Sequence, residues 1–373
     1  MATKSPGSFN TKIKVKTISP KSWNLKRLMS LLVKSRRRKI MVIGDVGIDR
    51  YTIGSVERIS PEAPVPVVLV EEEKLKLGLA ANVADNIQAL GATPFLIGVI
   101  GKDRSAGDFK DLLKDRGVST EHLVVDLSRR TALKDRIVSD RQQLLRVDYE
   151  SRHGVDKIIE KNVLKNFMAL VDQVDGIIVE DYAKGVLTEN VLQAVFRIAG
   201  QKEKWIAVDP NMKTPISHYR GATVLTPNLR EAEHLAGVKI VDSGSLAFAG
   251  EEILKLTHSK HVVITRGKDG MAVFSQGSSV IHLIPTTARE VYDVSGAGDT
   301  VIAVLMLSLS SGASIEEACV LGNLAAGVEV GKRGTATVSQ EEMRSSLTGP
   351  KPTGLNPAGL DRQIRRSRDR YSD

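Results

Sequence analysis

Residues 295–300 (SGAGDT) combine small side chains with one carboxylate, Asp299, and they precede an apolar run at 301–309. Small residues at a helix start leave backbone N–H groups unobstructed, and these groups bind anions together with the positive end of the helix dipole. Asp299 fits such a place if it takes a proton from a substrate hydroxyl while the N–H groups hold charge on a transferred phosphoryl group. The alternative is a glycine-rich turn in which Asp299 caps the helix.

Two more carboxylates follow a short apolar run. Residues 39–43 (KIMVI) predict a buried strand of a parallel sheet, and Asp45 and Asp49 come just after it. At the carboxyl end of such a strand, two carboxylates four residues apart are well placed to hold sugar hydroxyls. The alternative is that Asp45 caps a turn and Asp49 is solvated.

Polar clusters also follow other predicted strands. The segment 180–185 (EDYAKG) follows a strand at 176–179, and Asn228 and Glu231 follow a strand at 222–225. Open α/β sheets build their sites at the carboxyl ends of the strands. We therefore expect these clusters to form one site, joined by residues 78–82 (GLAAN) at the start of a predicted helix.

Strand and helix patterns alternate along most of the chain, which indicates an α/β fold with a mostly parallel central sheet flanked by helices. Prolines at 61, 64 and 66 make the segment 58–70 extended and favour an edge strand or lid. We expect it to form a small sheet with strands near 123–125, 131–138 and 143–149. The prediction is one domain over 23–345 with a small β lid from about 50–72 and 123–150.

The net charge of +9 comes from one end of the chain, because residues 1–39 contain no Asp or Glu. We predict that residues 1–22 are a disordered basic leader and that 346–373 are a disordered tail. The leader has two other interpretations: a targeting segment, and a tail that touches nucleic acid or a membrane surface by charge alone.

Composition excludes several classes of protein. A single cysteine, Cys319, rules out an internal disulfide and a multi-cysteine zinc site, and it fits a reducing, cytoplasmic location. No run of eighteen apolar residues occurs, so no membrane span is expected. The P-loop, dinucleotide-binding, zinc-protease and serine-hydrolase motifs are missing. A phosphate-binding helix start with carboxylates and amides suits phosphoryl transfer assisted by Mg²⁺.

Across about residues 38–340 the chain resembles the ribokinase-like (PfkB) carbohydrate kinases. Three motifs match in the family's order: 78–82, the Asn228-x-x-Glu231 pair, and 296–299 (GAGD). Within this family the chain is most similar to the kinases that act on heptose 7-phosphate in ADP-heptose synthesis. That closer resemblance rests on segments of the predicted lid and strand ends: 44–51, 58–67, 143–148, 181–185 and 291–294.

The resemblance implies roles for the matching residues. Asp299 would take the proton from the anomeric hydroxyl of the sugar. The N–H groups of Ala297, Gly298 and Asp299, directly after Gly296, would form the anion hole for the γ-phosphoryl group. Asn228 and Glu231 would organise Mg²⁺–ATP, with Glu231 reaching the metal through water. The nucleotide would lie against Thr265, Gly267, Gly270 and Asn323. The sugar hydroxyls would be held at Asp45, Asp49 and Asn82. The candidates for the fixed 7-phosphate are Lys184 with Arg50 or Arg58.

The implied cofactors are ATP and Mg²⁺, with a monovalent cation left open. The implied partners are a phosphorylated sugar and a second copy of the chain, which would form a homodimer through the lid. No specific nucleic acid or membrane partner is expected. The nucleotidyltransferase of bifunctional relatives would need a His-x-Gly-His motif, which is missing, so a stand-alone kinase is expected.

Two positions depart from the family pattern. Leu79 stands where a second glycine is usual, and Glu180 stands where the nearest relatives have a small serine. Leu79 could crowd the sugar or stiffen the lid hinge, and Glu180 adds a carboxylate near the predicted phosphate pocket. Two other functions therefore stay open: a kinase for another sugar, and a sugar- or ATP-binding protein without turnover. A third alternative, a nucleic-acid-binding leader, depends on the basic segment at the start of the chain.

Overall fold

The computed structural model describes residues 14–19, 22–139, 142–287, 294–332 and 336–349. In this part of the chain, ten strands form a central sheet. They are β1 (Lys14–Thr17), β2 (Lys39–Gly44), β5 (Thr93–Ile100), β6 (Leu123–Val125), β9 (Gly176–Glu180), β10 (Trp205–Asp209), β11 (Val224–Leu225), β12 (His261–Thr265), β13 (Met271–Ser275) and β14 (Val280–Ile284).

The order across this sheet is β1-β14-β13-β12-β11-β10-β9-β2-β5-β6. Pairing is parallel except where β13 runs antiparallel to β12 and β14. Ten described helices accompany the sheets. They are α1 (Leu25–Ser35), α2 (Ala80–Ala89), α3 (Arg104–Asp115), α4 (Lys157–Leu170), α5 (Glu189–Gln201), α6 (Leu229–Ala236), α7 (Ser243–Thr257), α8 (Ala297–Ser310), α9 (Ile315–Glu329) and α10 (Gln340–Thr348).

The central strands are apolar along their whole length because both faces of the sheet are covered. Side chains of β2 alternate between the faces: Ile40 and Val42 join one core cluster, whereas Met41 and Ile43 join the other. The first cluster includes side chains of α1, α2, α3, α8, α9 and α10. The second includes those of α4, α5, α6 and α7. The result is the predicted arrangement of three layers.

A second sheet of four described strands forms the lid. Its strands are β3 (Val46–Ile59), β4 (Pro66–Leu79), β7 (Ala132–Ser139) and β8 (Gln142–Tyr149), in the order β4-β3-β7-β8. The inner end of β3 is buried and its outer end is exposed. Residues 60–65 connect β3 to β4 and contain two of the three prolines, while Pro66 opens β4. Proline is therefore kept out of the ladder interior, where its missing N–H would cost a hydrogen bond.

Several predicted boundaries were wrong. Strand β6, expected in the lid, pairs with β5 in the central sheet. Residues 14–17 of the predicted disordered leader form β1 and pair with β14, since their N–H and C=O groups satisfy a sheet edge. Helix α10 runs to Thr348, past the predicted domain boundary at residue 345. Among the described helices, none combines the length and apolar character needed to cross a membrane.

Candidate active site

The predicted strand-end clusters meet at one edge of the central sheet. The register places Gly44 of β2 and Asp209 of β10 on either side of Glu180 of β9. Further along the same edge, Asn228 forms a bridge with Thr265 at the end of β12. Parallel pairing thus gathers residues that are far apart in sequence.

Asp299 lies in the first turn of α8 and is 8% exposed. Its Oδ2 accepts a hydrogen bond from Asn82 Nδ2 at 2.6 Å, and its Oδ1 accepts one from Tyr182 O–H at 2.8 Å. Asp299 therefore does not cap its helix, and no side-chain cap is found at the start of α8 in the described structure. Burial raises the pKa of Asp299, and the bonds from Asn82 and Tyr182 oppose that rise.

The start of α8 has the geometry expected of an anion site. Gly296 precedes the helix with a φ of 95°, a conformation that favours glycine. Gly298 is exposed, and a Cβ added there would lie 4.0 Å from Asp209 Oδ2. The N–H of Ala297 donates a long, 3.3 Å hydrogen bond to the Val294 carbonyl. The helix start thus lies beside the carboxylates of the strand ends.

Glu180, Asp209 and Asp299 form a carboxylate cluster at this edge. One oxygen from each carboxylate lies within 4.8 Å of the others. Burial raises the pKa of Glu180 and of Asp209 well above the ordinary value, and the charges of the neighbouring carboxylates raise them further. Sequence reasoning missed Asp209 as a site residue, although its position directly after an apolar run was a usable signal.

Asn228 and Glu231 form the capping box of α6. The Glu231 N–H donates to Asn228 Oδ1 at 3.0 Å, and the Asn228 N–H donates to Glu231 Oε2 at 2.9 Å. Burial raises the pKa of Glu231, while the hydrogen bonds from Asn228 lower it. The spacing of this motif therefore has a structural cause, and it also fixes the Glu231 carboxylate near the cluster of strand-end acids.

Asp45 differs from its predicted role in binding the sugar. Its carboxylate accepts hydrogen bonds from the backbone N–H groups of Tyr182 (3.1 Å), Lys184 (2.9 Å) and Val186 (3.2 Å). Burial outweighs these bonds and raises the pKa of Asp45 to about 6. Asp45 therefore anchors the 181–186 loop, which presents Tyr182 to Asp299.

Asp49 and Asn82 lie where the lid joins the central sheet. Asp49 is buried and accepts a hydrogen bond from Arg136 Nη1 at 2.8 Å. A Cβ added at Gly78 would lie only 3.1 Å from Asp49 Cγ, so the glycine permits a close approach of β4 to this carboxylate. Leu79, which follows, is buried with a φ of 58°. A leucine here is strained, because this conformation favours the glycine that is usual in the family.

The structure separates the three predicted phosphate-binding cations. Lys184 lies in the 181–186 loop and pairs with Glu150. Arg50 pairs with Asp135 within the lid. Arg58 is exposed near the outer end of β3, away from Asp299.

Lys134 is a cation that sequence reasoning missed. It lies in β7, in register with Asp49 of β3, and its Nζ is 5.3 Å from the centroid of the Tyr182 ring. Burial lowers the pKa of Lys134, the Asp49 charge opposes that fall, and the nearby cations Lys184, Arg136 and Arg146 add to it. The signal was the alternation of Lys134 with Arg136, since residues two apart share one face of a strand.

The predicted nucleotide residues follow the later strands. Gly267 and Gly270 form the turn between β12 and β13. Asn323 is buried in α9 and donates from Nδ2 to the Pro285 carbonyl at 2.7 Å, so it supports the segment after β14. Three residues of the segment 291–294, on which the closer resemblance partly rests, lie outside the described residues.

The three-layer fold, with its mostly parallel central sheet flanked by helices, is ribokinase-like. The structure is similar to Arabidopsis thaliana ribokinase complexed with ribose and ATP, with a TM-score of 0.67, 19% identity, and coverage of 84% of this chain and 100% of that chain. It is also similar to phosphofructokinase-2 from Escherichia coli in complex with potassium, with a TM-score of 0.69, 17% identity, and coverage of 83% of this chain and 98% of that one.

The chain belongs to the pfkB family of carbohydrate kinases, whose sequence model matches residues 37–343. Its relatives include the bifunctional protein HldE of Helicobacter hepaticus, 45% identical over 83% of this chain. The HldE protein of Geobacter sulfurreducens is 43% identical over 86% of this chain. The chain spans just under two thirds of these proteins, 64% and 65% of their lengths. The predictions of a ribokinase-like fold and a carbohydrate kinase family are confirmed.

Proposed function

We propose that this protein is a cytoplasmic, ATP-dependent kinase that phosphorylates the anomeric hydroxyl of heptose 7-phosphate. The product would be heptose 1,7-bisphosphate, for ADP-heptose and lipopolysaccharide core synthesis. The observation that carries the proposal is the buried Asp299 carboxylate, held by Asn82 and Tyr182 at the start of α8. The choice of sugar rests on the resemblance of the lid and strand ends to heptose 7-phosphate kinases and on the identity with HldE proteins.

In this mechanism Asp299 accepts the proton of the attacking hydroxyl as its oxygen bonds to the γ-phosphorus of ATP. Asn82 and Tyr182 fix the orientation of the carboxylate, which places the base before the substrate arrives. The N–H groups at Gly298 and Asp299, with the helix dipole, stabilise charge on the transferred group. Burial raises the pKa of Asp299 and so strengthens it as a base.

The donors present fit a hard divalent cation, because Asp209 and Glu231 supply carboxylate oxygens next to the helix start. Asn228 and Glu231 would hold Mg²⁺ with the ATP phosphates, Glu231 through water. The cation would neutralise charge on the phosphates when it is bound. The turn at Gly267 and Gly270, with Thr265 and Asn323, would receive the nucleotide. A monovalent cation stays a prediction.

The lid and the loop after β9 each supply a cation for the fixed phosphate of the sugar. Lys134 and Lys184 are near enough for each charge to act on the other, and Lys134 also acts on Asp299. A doubly charged phosphate between the two ammonium groups would relieve their repulsion. We therefore assign the 7-phosphate to Lys134 and Lys184 in place of Arg50, while Arg58 remains a candidate only within a dimer.

The lid also carries the exposed apolar surface that a homodimer would need. Large apolar side chains on its strands and on the connection between β3 and β4 are at least 36% exposed, among them Ile59, Val65, Leu69, Val70 and Leu145. Exposed apolar side chains on this scale favour contact with another copy of the lid. This supports a homodimer joined through the lids.

A substrate panel with coupled detection of ADP release tests the proposed reaction. The panel contains heptose 7-phosphate, ribose, fructose and fructose 6-phosphate, each with Mg²⁺–ATP. We expect the highest kcat/KM with heptose 7-phosphate. Turnover of ribose or fructose without turnover of heptose 7-phosphate would favour a different sugar kinase. If the protein binds ATP and sugar but forms no ADP with any substrate, the result would favour a binding protein without turnover.

A further inference from the structure

Two polar side chains, Asn86 of α2 and Thr300 of α8, meet where these helices pack together. Both are 0% exposed, and Thr300 Oγ1 donates a hydrogen bond to Asn86 Oδ1 at 3.1 Å. Val83 and Ile87 of α2 and Val301 of α8 are buried in the first core cluster. An apolar pair of the same shape would replace Asn86 and Thr300 with little change in the free energy of unfolding. The pair therefore points to a role beyond stability.

The pair adjoins the hydrogen bond that holds Asp299. Asn82 and Asn86 are four residues apart and so lie on one face of α2, while Asp299 and Thr300 are adjacent on α8. Asn82 Nδ2 donates to Asp299 Oδ2 at 2.6 Å, and Asn86 Nδ2 donates to the Asn82 carbonyl at 2.9 Å. These four residues form a two-rung ladder between the helices, in which Asn86 is bonded both to α8 and to the residue that contacts Asp299.

We propose that Asn86 and Thr300 are positioning residues: their hydrogen bond fixes the register of α2 against α8 and thereby keeps Asn82 in place on Asp299. Apolar contacts have no directional preference, whereas a hydrogen bond weakens steeply with distance and angle. A shift of one residue, about 1.5 Å along the helix axis, is large enough to break the 2.6 Å bond of Asn82.

The position of α2 in the chain gives this register a function. Lid strand β4 ends at Leu79 and α2 begins at Ala80, so a movement of the lid acts on α2 first. The two-rung ladder holds α2 against α8, which carries Asp299. The register itself is independent of the reaction, whereas its consequence for turnover rests on the proposed function, because it acts through Asp299 as the base. A loosened bond from Asn82 would lower kcat through lost orientation of that carboxylate.

Thr300→Val tests the catalytic consequence, because valine keeps the shape and removes the hydroxyl. With heptose 7-phosphate and Mg²⁺–ATP, we expect kcat to fall about fivefold or more and the KM for ATP to change little. Thr300→Ser keeps the hydroxyl and should keep most of the wild-type kcat. A pair that served packing alone would give the opposite order, since serine loses a buried methyl group that valine retains. Thr257→Val removes a buried hydroxyl at the end of α7 and should leave kcat unchanged.

Unfolding in urea without substrates tests the register independently of activity. If the two rungs depend on each other, Thr300→Val already loosens the bond that Asn82→Ala removes. The double variant should then lose less stability than the sum of the single variants, by about twofold or more in the unfolding equilibrium constant. Asn82→Ala combined with Thr257→Val is the matched control and should be additive. A wild type without turnover would reject the proposed function, whereas this comparison would still decide the register.

Two results would overturn the proposal: additive effects of Asn82→Ala and Thr300→Val on unfolding, or a Thr300→Val protein with the wild-type kcat. If Thr300→Val does not fold, Asn86→Leu combined with Thr300→Val replaces both partners by apolar groups of similar shape and should restore folding. Its kcat should stay below the wild-type value, because stability returns without the directional bond. A folded protein with both substitutions and the wild-type kcat would also overturn the proposal.

Discussion

At the scale of single residues, Asp299 shows how the environment decides what a side chain can do. The same residue in an exposed first turn would be an ordinary helix-stabilising carboxylate. The two hydrogen bonds from Asn82 and Tyr182 instead fix its orientation, and burial raises its pKa. These are the properties that a general base requires.

Asp299→Asn should lower kcat by about 10²–10⁴-fold, because an amide cannot accept the proton of the hydroxyl. The affinity for ATP should stay within a few-fold of the wild type, since the change removes the base and keeps the shape. Coupled ADP release and calorimetry of ATP binding measure the two effects. A variant with kcat close to the wild-type value would remove Asp299 from the role of base.

Leu79 stores backbone strain that a pair of variants can isolate. At a φ of 58°, both leucine and alanine are strained, whereas glycine is not. Leu79→Ala and Leu79→Gly both lose the buried side chain, but only Leu79→Gly also releases the strain. The glycine variant should therefore be the more stable of the two by about 1 kcal/mol, the reverse of the usual order. Urea denaturation measures the difference, and a less stable glycine variant would contradict it.

At the scale of elements, the lid strand β7 provides the positive charge that the strand ends lack. Its register with β3 places Lys134 beside Asp49 and over the Tyr182 ring. The loop after β9 in turn depends on Asp45, whose carboxylate accepts three of its N–H groups. The site is thus assembled from strand β7, which belongs to the lid sheet, and from the loop after β9, which belongs to the central sheet.

Lys134→Met should raise the KM for heptose 7-phosphate about tenfold or more and change the KM for ATP little. Methionine keeps much of the apolar contact with Tyr182 but removes the charge that would bind the phosphate. Arg146→Met, on the neighbouring strand β8 and half exposed, is the matched control and should have a smaller effect. Equal KM values for the wild type and Lys134→Met would exclude Lys134 from phosphate binding.

Asp45 should make the stability of the protein depend on pH. Its pKa is raised from 3.8 to about 6 in the folded state, so the folded protein binds the proton more tightly than the unfolded chain does. The contribution of Asp45 to the free energy of unfolding is fully present below about pH 4 and is lost as the pH rises through 6. Its size is about 3 kcal/mol.

Asp45→Asn tests this dependence. Asparagine cannot titrate and presents an N–H group towards backbone donors, so the variant should be less stable than the wild type. Its disadvantage should shrink between pH 4 and pH 7, because the loss of stability that comes from ionising Asp45 occurs only in the wild type. Denaturant unfolding at both values measures the difference, and a disadvantage independent of pH would contradict the assignment.

At the scale of the whole molecule, the lid is large and apolar at its outer end, whereas the central sheet is covered on both faces. Leu69→Lys should convert the proposed dimer into a monomer at micromolar concentration, because it places a charge in the apolar contact. Light scattering after gel filtration measures the mass. Met168→Lys, at an exposed apolar residue of α4 outside the lid, is the control. A wild type that is monomeric at high concentration would exclude the lid dimer.

Local sequence patterns predicted the class of fold, most of the elements and the region of the candidate site. Strands that are buried on both faces have nearly continuous apolar sequences, so β-branched apolar runs indicate such strands. Polar residues that follow these runs lie at the carboxyl ends of the strands and so at one edge of a parallel sheet. Glu231 could therefore be singled out from a local pattern, and Asp299 from the small residues at a helix start, whereas the role predicted for Asn82 came from the family resemblance. The strand at 123–125 was placed in the wrong sheet, because three apolar residues do not specify which strand they pair with.

Only the tertiary structure decided how these residues are connected. Asp45 resembles a substrate ligand in sequence, but the loop that folds over it takes up its oxygens. Lys134 and Asp209 gain their places from strand register, which joins residues separated by tens to hundreds of positions. Glu180 is one strand-end carboxylate among several in sequence, and its complete burial against Asp209 and Asp299 emerges only when β9, β10 and α8 come together. Burial and charge proximity arise from packing between elements, so local patterns cannot encode them.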